Sequence, residues 1–143
     1  MSLRKYPAKS LEHIIPISEK TREIILQHSG KNCKYSNQLP DHLDLDYSNI
    51  YDVSALGSVK YLSLRGCTKV TDVSALGNVE GINLQDCTGI TDVSALGNVL
   101  VLNLQGCTGI TDVSMLGKIQ YLNLQGCTRI TDFSNITHKS VLL

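Results

Sequence analysis

From Tyr51 onward the apolar positions recur every twenty residues. In blocks the chain reads YDVSALGSVKYLSLRGCTKV, TDVSALGNVEGINLQDCTGI, TDVSALGNVLVLNLQGCTGI and TDVSMLGKIQYLNLQGCTRI, then a partial TDFSNITHKSVLL. A looser copy, LPDHLDLDYSNI, precedes them and is one residue shorter between Leu45 and Asp52. Within a block, Leu62 and Leu64 alternate with Tyr61, Ser63 and Arg65, the period of a strand with one buried face. Gly66, Cys67 and Thr68 signal a turn, after which Val70, Val73 and Leu76 point inward again. Asp72 is placed to accept a backbone N–H at the start of the short turn 73–76, and Gly77 to end that turn in a left-handed conformation. Twenty residues leave no room for a full α-helix on the return, so that side is predicted to be extended or 3₁₀.

One such coil does not bury its own apolar side. Val59, Leu62, Leu64, Cys67, Val70, Val73 and Leu76 meet water unless equivalents lie above and below. At about 1.5–3 kcal/mol per large buried side chain, each added coil gains on the order of ten kcal/mol before chain entropy is subtracted. The pattern therefore predicts a stack of five to six coils over residues 39–143, with parallel strands about 4.8 Å apart.

Residues 1–38 differ in kind and are expected to cap the array. Residues 18–28 read as a helix with Ser18 as N-cap, Ser29 and Gly30 as its stop, and Ile24, Ile25 and Leu26 as its apolar face. A rival reading, a short helical module docking a ligase scaffold, has no convincing pattern there. At the other end Val141, Leu142 and Leu143 align by count with Tyr121, Leu122 and Asn123, so the chain stops inside a strand. An open apolar edge invites association; a homodimer through this end or a truncated chain is expected.

The chain has 143 residues and a formal net charge of zero, which argues against a general nucleic-acid binder. Residues 1–34 carry seven bases against three acids, a net of +4; the remainder carries six against ten, a net of −4. No secretory leader and no membrane-length apolar run is read in the sequence. Five cysteines without a leader point to reduced thiols and a cytoplasmic location. Cys67, Cys87, Cys107 and Cys127 form one column and Asp52, Asp72, Asp92, Asp112 and Asp132 another. Zinc or a redox role for the thiols and calcium for the carboxylates are the sharper readings; structural thiols and turn-capping carboxylates are the favoured ones. Thr71, Thr91, Thr111 and Thr131, with the serines at 54, 74, 94, 114 and 134, fit turn hydrogen bonding. His42, Asp44 and Asp46 share one strand face, as a metal seed or as a solvated acidic edge. The histidines at 13, 28, 42 and 138 do not recur with the repeat, Cys33 lies outside the column, and no nucleophile elbow or phosphate-binding glycine loop is present. No enzyme, cofactor or metal site is expected.

The stretch from Leu62 to Cys67 and its copies resembles the leucine-rich-repeat signature L-x-L-x-x-(N/C). The continuation C-T-x-I-T-D resembles the cysteine-containing subclass known from ubiquitin-ligase substrate receptors, and D-V-S-x-L-G resembles the compact internalin-like type. The resemblance implies an α/β solenoid, a right-handed superhelix with a parallel concave β-sheet and an N-terminal helical cap. It also implies that partners meet the exposed residues of that sheet: Tyr61, Ser63, Arg65, Asn83, Gln85, Val101, Asn103, Gln105, Tyr121, Asn123 and Gln125. Lys60, Glu80, Leu100 and Gln120 flank them. The expected function is a non-enzymatic protein-interaction module for a protein or peptide partner, with no nucleic acid and no membrane. The alternatives are a ubiquitin-ligase substrate receptor and a secreted internalin-like adhesin. A structural rival also stands, in which the Asn and Gln columns bond along themselves and only stabilise the sheet.

Overall fold

A computed structural model describes residues 17–29, 39–136 and 141–143. Helix α1 spans Glu19–Ser29 and is followed by strands β1 (His42–Asp44), β2 (Tyr61–Ser63), β3 (Gly81–Asn83), β4 (Val101–Asn103), β5 (Tyr121–Asn123) and β6 (Val141–Leu142). The six strands form one parallel sheet in sequence order. From β2 to β5 the register advances by one block per strand: Leu62 pairs with Ile82, Ile82 with Leu102, and Leu102 with Leu122. The ladder runs past the short strands, with Leu64 N–H donating to Asn83 O and Gly66 N–H to Gln85 O, both at 2.8 Å.

Four return segments carry a single 3₁₀ turn, at Ser54–Leu56, Ser74–Leu76, Ser94–Leu96 and Ser114–Leu116, and the fifth has a simple turn at Ser134 and Asn135. All seven apolar positions named for the second coil are buried, and their copies as far as Ile130 join them in one continuous core, whereas Phe133, the copy of Val73, is exposed. In that core Leu45, Leu64, Leu84, Leu104 and Leu124 form an unbroken inward column.

At the N-terminal end α1 packs against β1. Ser18 Oγ accepts the Thr21 N–H at 3.2 Å, as an N-cap should. Ile17, Thr21, Ile24 and Ile25 are buried, at helical spacing 4, 3 and 1. Leu26 does not share that face: it is 49% exposed, because one residue beyond Ile25 turns the side chain about 100° around the axis. Residues 1–16 and 30–38 of the expected cap lie outside the described residues, as do His13, Cys33 and His138.

Two further expectations are corrected. Gly77 is right-handed, φ −64° and ψ −16°, as are its copies at 57, 97 and 117. The demand there is spatial: a Cβ on Gly77 would lie 2.5 Å from the carbonyl oxygen of Ala95 in the next coil. The left-handed residues stand instead at the turn after the strand, at Gly66, Gly106 and Gly126, with Tyr47 and Asp86 in the same place. The last strand is also out of the counted register. Val141, not Leu142, pairs with Leu122, which puts the partly buried Val141 against the core and leaves Leu142 exposed.

Candidate partner-binding face

The outward parity of the strands places every residue that the resemblance implied on one sheet face and its lower edge. Tyr61, Val101 and Tyr121 are exposed to 37%, 44% and 58%, and the flanking Leu100 to 41%. Ser63, Arg65, Asn83, Gln85, Asn103, Gln105 and Asn123 are half-buried, and Gln125 is exposed.

The Asn column has a backbone task. Asn83, Asn103 and Asn123 each accept, through Oδ1, the N–H of the Gln two residues on, at 3.1, 3.0 and 3.0 Å. This Asx turn ends each strand. Asp44 does the same for the Asp46 N–H at 3.0 Å. Coil two has Ser63 in that column, and Asp46 of the coil before it takes over: its Oδ1 accepts the Arg65 N–H at 2.9 Å and the Ser63 hydroxyl. The Gln column is less committed. Gln85 Nε2 donates to Asp86, and Gln105 Oε1 accepts from Asn123 Nδ2 at 3.4 Å. The rival in which these columns bond along themselves is not what the described residues show: the Asn bonds stay within their own coil, and the one bond between coils joins Asn123 to Gln105.

Variation between coils concentrates in the two columns that open each strand. These read Lys60, Glu80, Leu100, Gln120 and Tyr61, Gly81, Val101, Tyr121, beside inward columns that barely change. His42 stacks on Tyr61 with centroids 4.7 Å apart, and the Tyr61 hydroxyl donates to Glu80 at 3.1 Å. Lys60 Nζ lies 3.8 Å from the same carboxylate. Between Tyr61 and Val101 the face dips into a hollow of about 540 Å³ over Gly81. A second hollow, about 400 Å³, lies between Val101, Tyr121 and Leu142. At the edge the Arg65 guanidinium lies over the Tyr47 ring, 5.5 Å from its centroid, and its Nε is buried without an acceptor among the described residues.

The two columns weighed for chemistry are occupied by structural bonds. Each Asp of the return side accepts the N–H of the Ser two residues on, from 3.0 Å at Ser54 to 2.8 Å at Ser134. Hydrogen bonds from those serines hold all five carboxyls below their ordinary pKa. Cys67, Cys87, Cys107 and Cys127 are buried free thiols; Cys87, Cys107 and Cys127 each donate at 3.0 Å to the Leu carbonyl of the coil before. Burial pushes Cys87 and Cys107 up to about 12. Among the described residues no three His, Cys, Asp or Glu side chains gather in a metal-binding group. His28 Nδ1 lies 3.1 Å from its own helix's Ile24 carbonyl, far in role from His42 on the sheet. Sequence reading missed Ser48, which is buried with its hydroxyl 3.6 Å from the Cys67 sulfur. The signal was present: Leu43 to Ser48 reads L-x-L-x-x-S, with Ser in the column's Cys place.

No family model matches the chain, and no curated protein matches it. Among solved structures, it is similar to an internalin (inlF) from Listeria monocytogenes, with 26% identity and a TM-score of 0.55. That match covers 71% of this chain and 34% of the internalin, so the chain spans about a third of its length. A second similar structure, internalin C2 of the same organism, has 19% identity and a TM-score of 0.42 over 71% of this chain and 58% of that one.

Proposed function

We propose that the chain, a leucine-rich-repeat solenoid with an internalin-like coil, is a non-enzymatic module that binds a protein partner on its concave sheet. The observation that carries this reading is the exposure of Tyr61, Val101 and Tyr121, with Leu100 beside them, on the face where the coils differ most. A sheet that served only as scaffold gains nothing from apolar side chains kept in water, whereas partially exposed aromatic and aliphatic groups are the usual anchors of interfaces. The Asn column contributes by holding the strand ends, and Arg65, Gln85, Gln105 and Gln125 supply a polar border.

The test is capture from the native cell with three baits. The wild type should retain a partner set that Leu100→Ser/Val101→Ser/Tyr121→Ser loses and Met115→Ser, exposed on the return side, keeps. Equal retention by all three removes the concave reading.

The likeness to an internalin favours a second, compatible reading, a secreted adhesin, over a ubiquitin-ligase receptor. The cytoplasmic expectation rested on reduced thiols, yet burial by itself protects the four column cysteines. Fractionation of the native cell with an antibody to the chain separates the two locations.

A further inference from the structure

We propose that Arg65 receives one carboxylate side chain of the protein partner at the lower edge of the sheet, an inference that rests on the concave face being the contact surface. Coil two departs from its later copies at neighbouring places, and the departures meet here. Where those copies have Asn and Gln it has Ser63 and Arg65, and the coil before it supplies Asp46 and Tyr47. Asp46 Oδ1 accepts the Arg65 N–H at 2.9 Å, and the Tyr47 N–H donates to the Arg65 carbonyl at 2.7 Å. The Tyr47 ring lies over Gly66, where a Cβ would collide with it. The Arg65 guanidinium lies over that ring, 5.5 Å from its centroid. Backbone and side chain of Arg65 are thus both fixed before a partner arrives, so little freedom is lost on binding.

Arginine is a poor choice here for the free chain. Its Nε is buried without an acceptor, a cost that the Gln of the later coils does not carry. The stack on an exposed tyrosine is a weak return. No carboxylate pairs with the guanidinium among the described residues, whereas Lys60, the other cation of the face, is held by Glu80. A residue that breaks the local pattern at a cost to the fold is the expected mark of a functional position.

Shape and charge select the occupant. With Nε closed off, the two terminal nitrogens are left to bind. Their parallel N–H groups match the two oxygens of a carboxylate. Asp46 stands beside the Arg65 backbone, and Asp86 accepts from Gln85 in the next coil, so acids flank the guanidinium. A dianionic phosphate or a polyanion meets their repulsion more strongly than a single carboxylate does.

The probe is N-acetyl-glutamate amide, titrated into the full chain and followed by NMR. The signals read are the Arg65 Nε–H, which burial shields from exchange with water, and the backbone amides of Gly66 and Gln85. N-acetyl-glutamine amide, neutral and of similar shape, and inorganic phosphate are the controls. Saturable shifts are expected with glutamate, and binding about tenfold weaker with glutamine and with phosphate. On Arg65→Gln the shifts at Gly66 and Gln85 should vanish. The melting temperature of that variant should equal or exceed the wild type's, since the orphaned N–H leaves with the arginine. Glutamine binding as tightly as glutamate, phosphate binding more tightly, or shifts that fail to saturate would overturn the inference. So would a melting temperature several degrees below the wild type's, which makes Arg65 a structural residue. Captured partners separate the two levels. Retention by Arg65→Gln with loss on Leu100→Ser/Val101→Ser/Tyr121→Ser defeats the carboxylate and leaves the face. Retention by every variant defeats the face itself.

Discussion

The thiol of Cys87 donates to the carbonyl oxygen of Leu64, one coil back, at 3.0 Å. The same oxygen accepts the Cys67 N–H at 3.0 Å, so one carbonyl ties the turn of its own coil to the turn of the next. Cys107 repeats the bond to Leu84. Cys107→Ala removes the bond and should lower unfolding free energy by about 1 kcal/mol or somewhat more, since packing is lost with it. Urea denaturation measures it, and a value near zero would show that the thiol contributes only bulk.

The same thiols should be chemically silent in the folded chain. With Cys87 and Cys107 raised to about 12, the reactive thiolate is scarce at pH 8. Ellman's reagent should leave all four column cysteines unmodified until denaturant is added. The sign for stability follows from linkage: a folded pKa above the unfolded value near 8.5 favours folding fully below that value and progressively less as pH rises towards 12. Alkaline melting curves of the wild type against Cys87→Ala/Cys107→Ala should therefore converge as pH rises.

Gly77→Ala discriminates between two explanations of a glycine that recurs in four successive coils. Were backbone freedom the issue, alanine at φ −64° would stabilise the turn. The Ala95 carbonyl, 2.5 Å from the added Cβ, predicts the opposite, a loss of about 1–3 kcal/mol from overpacking. Thermal melts of Gly77→Ala read the sign directly.

The Asp column gives an acid signature. Serine hydrogen bonds lower the folded pKa of Asp92 and Asp112 below the ordinary 3.8. Their contribution is present above the unfolded value and is lost as pH falls through the folded one. Asp92→Asn/Asp112→Asn keeps the acceptor but not the titration. Its melting temperature should fall less steeply than that of the wild type below pH about 4. Parallel slopes would remove these carboxyls from the acid transition.

Two leucines that look alike in sequence should behave differently. Leu84 is fully buried in the stack, and Leu84→Ala should cost about 2–5 kcal/mol. Leu26 faces water from α1, and Leu26→Ala should stay within about 0.5 kcal/mol. Chemical denaturation of both variants tests the placement of the helix.

The solenoid was legible because its inner positions repeat: one period of twenty and one of two place Leu62, Leu64, Val70 and Leu76 without further information. Relations between coils were not legible in the same way. The reason for Gly77 lies in a carbonyl eighteen residues away, and Asp46 stands in for an Asn that coil two lacks. Counting misplaced β6 because a length change hides in the last coil, just as one is visible in the first. The outward face followed from strand parity, but the hollow did not, since it depends on how far the Tyr61 ring leans over Gly81.

The tight approach at Gly57, Gly77, Gly97 and Gly117 has a consequence for growth. With no slack between layers, a single inserted residue mid-array must bulge outward or unseat everything beyond it. A whole extra block slots in with every bond of its neighbours preserved. The molecule behaves as a ladder that lengthens only by complete rungs, so duplication of a twenty-residue gene segment is the cheap route to a longer reading surface.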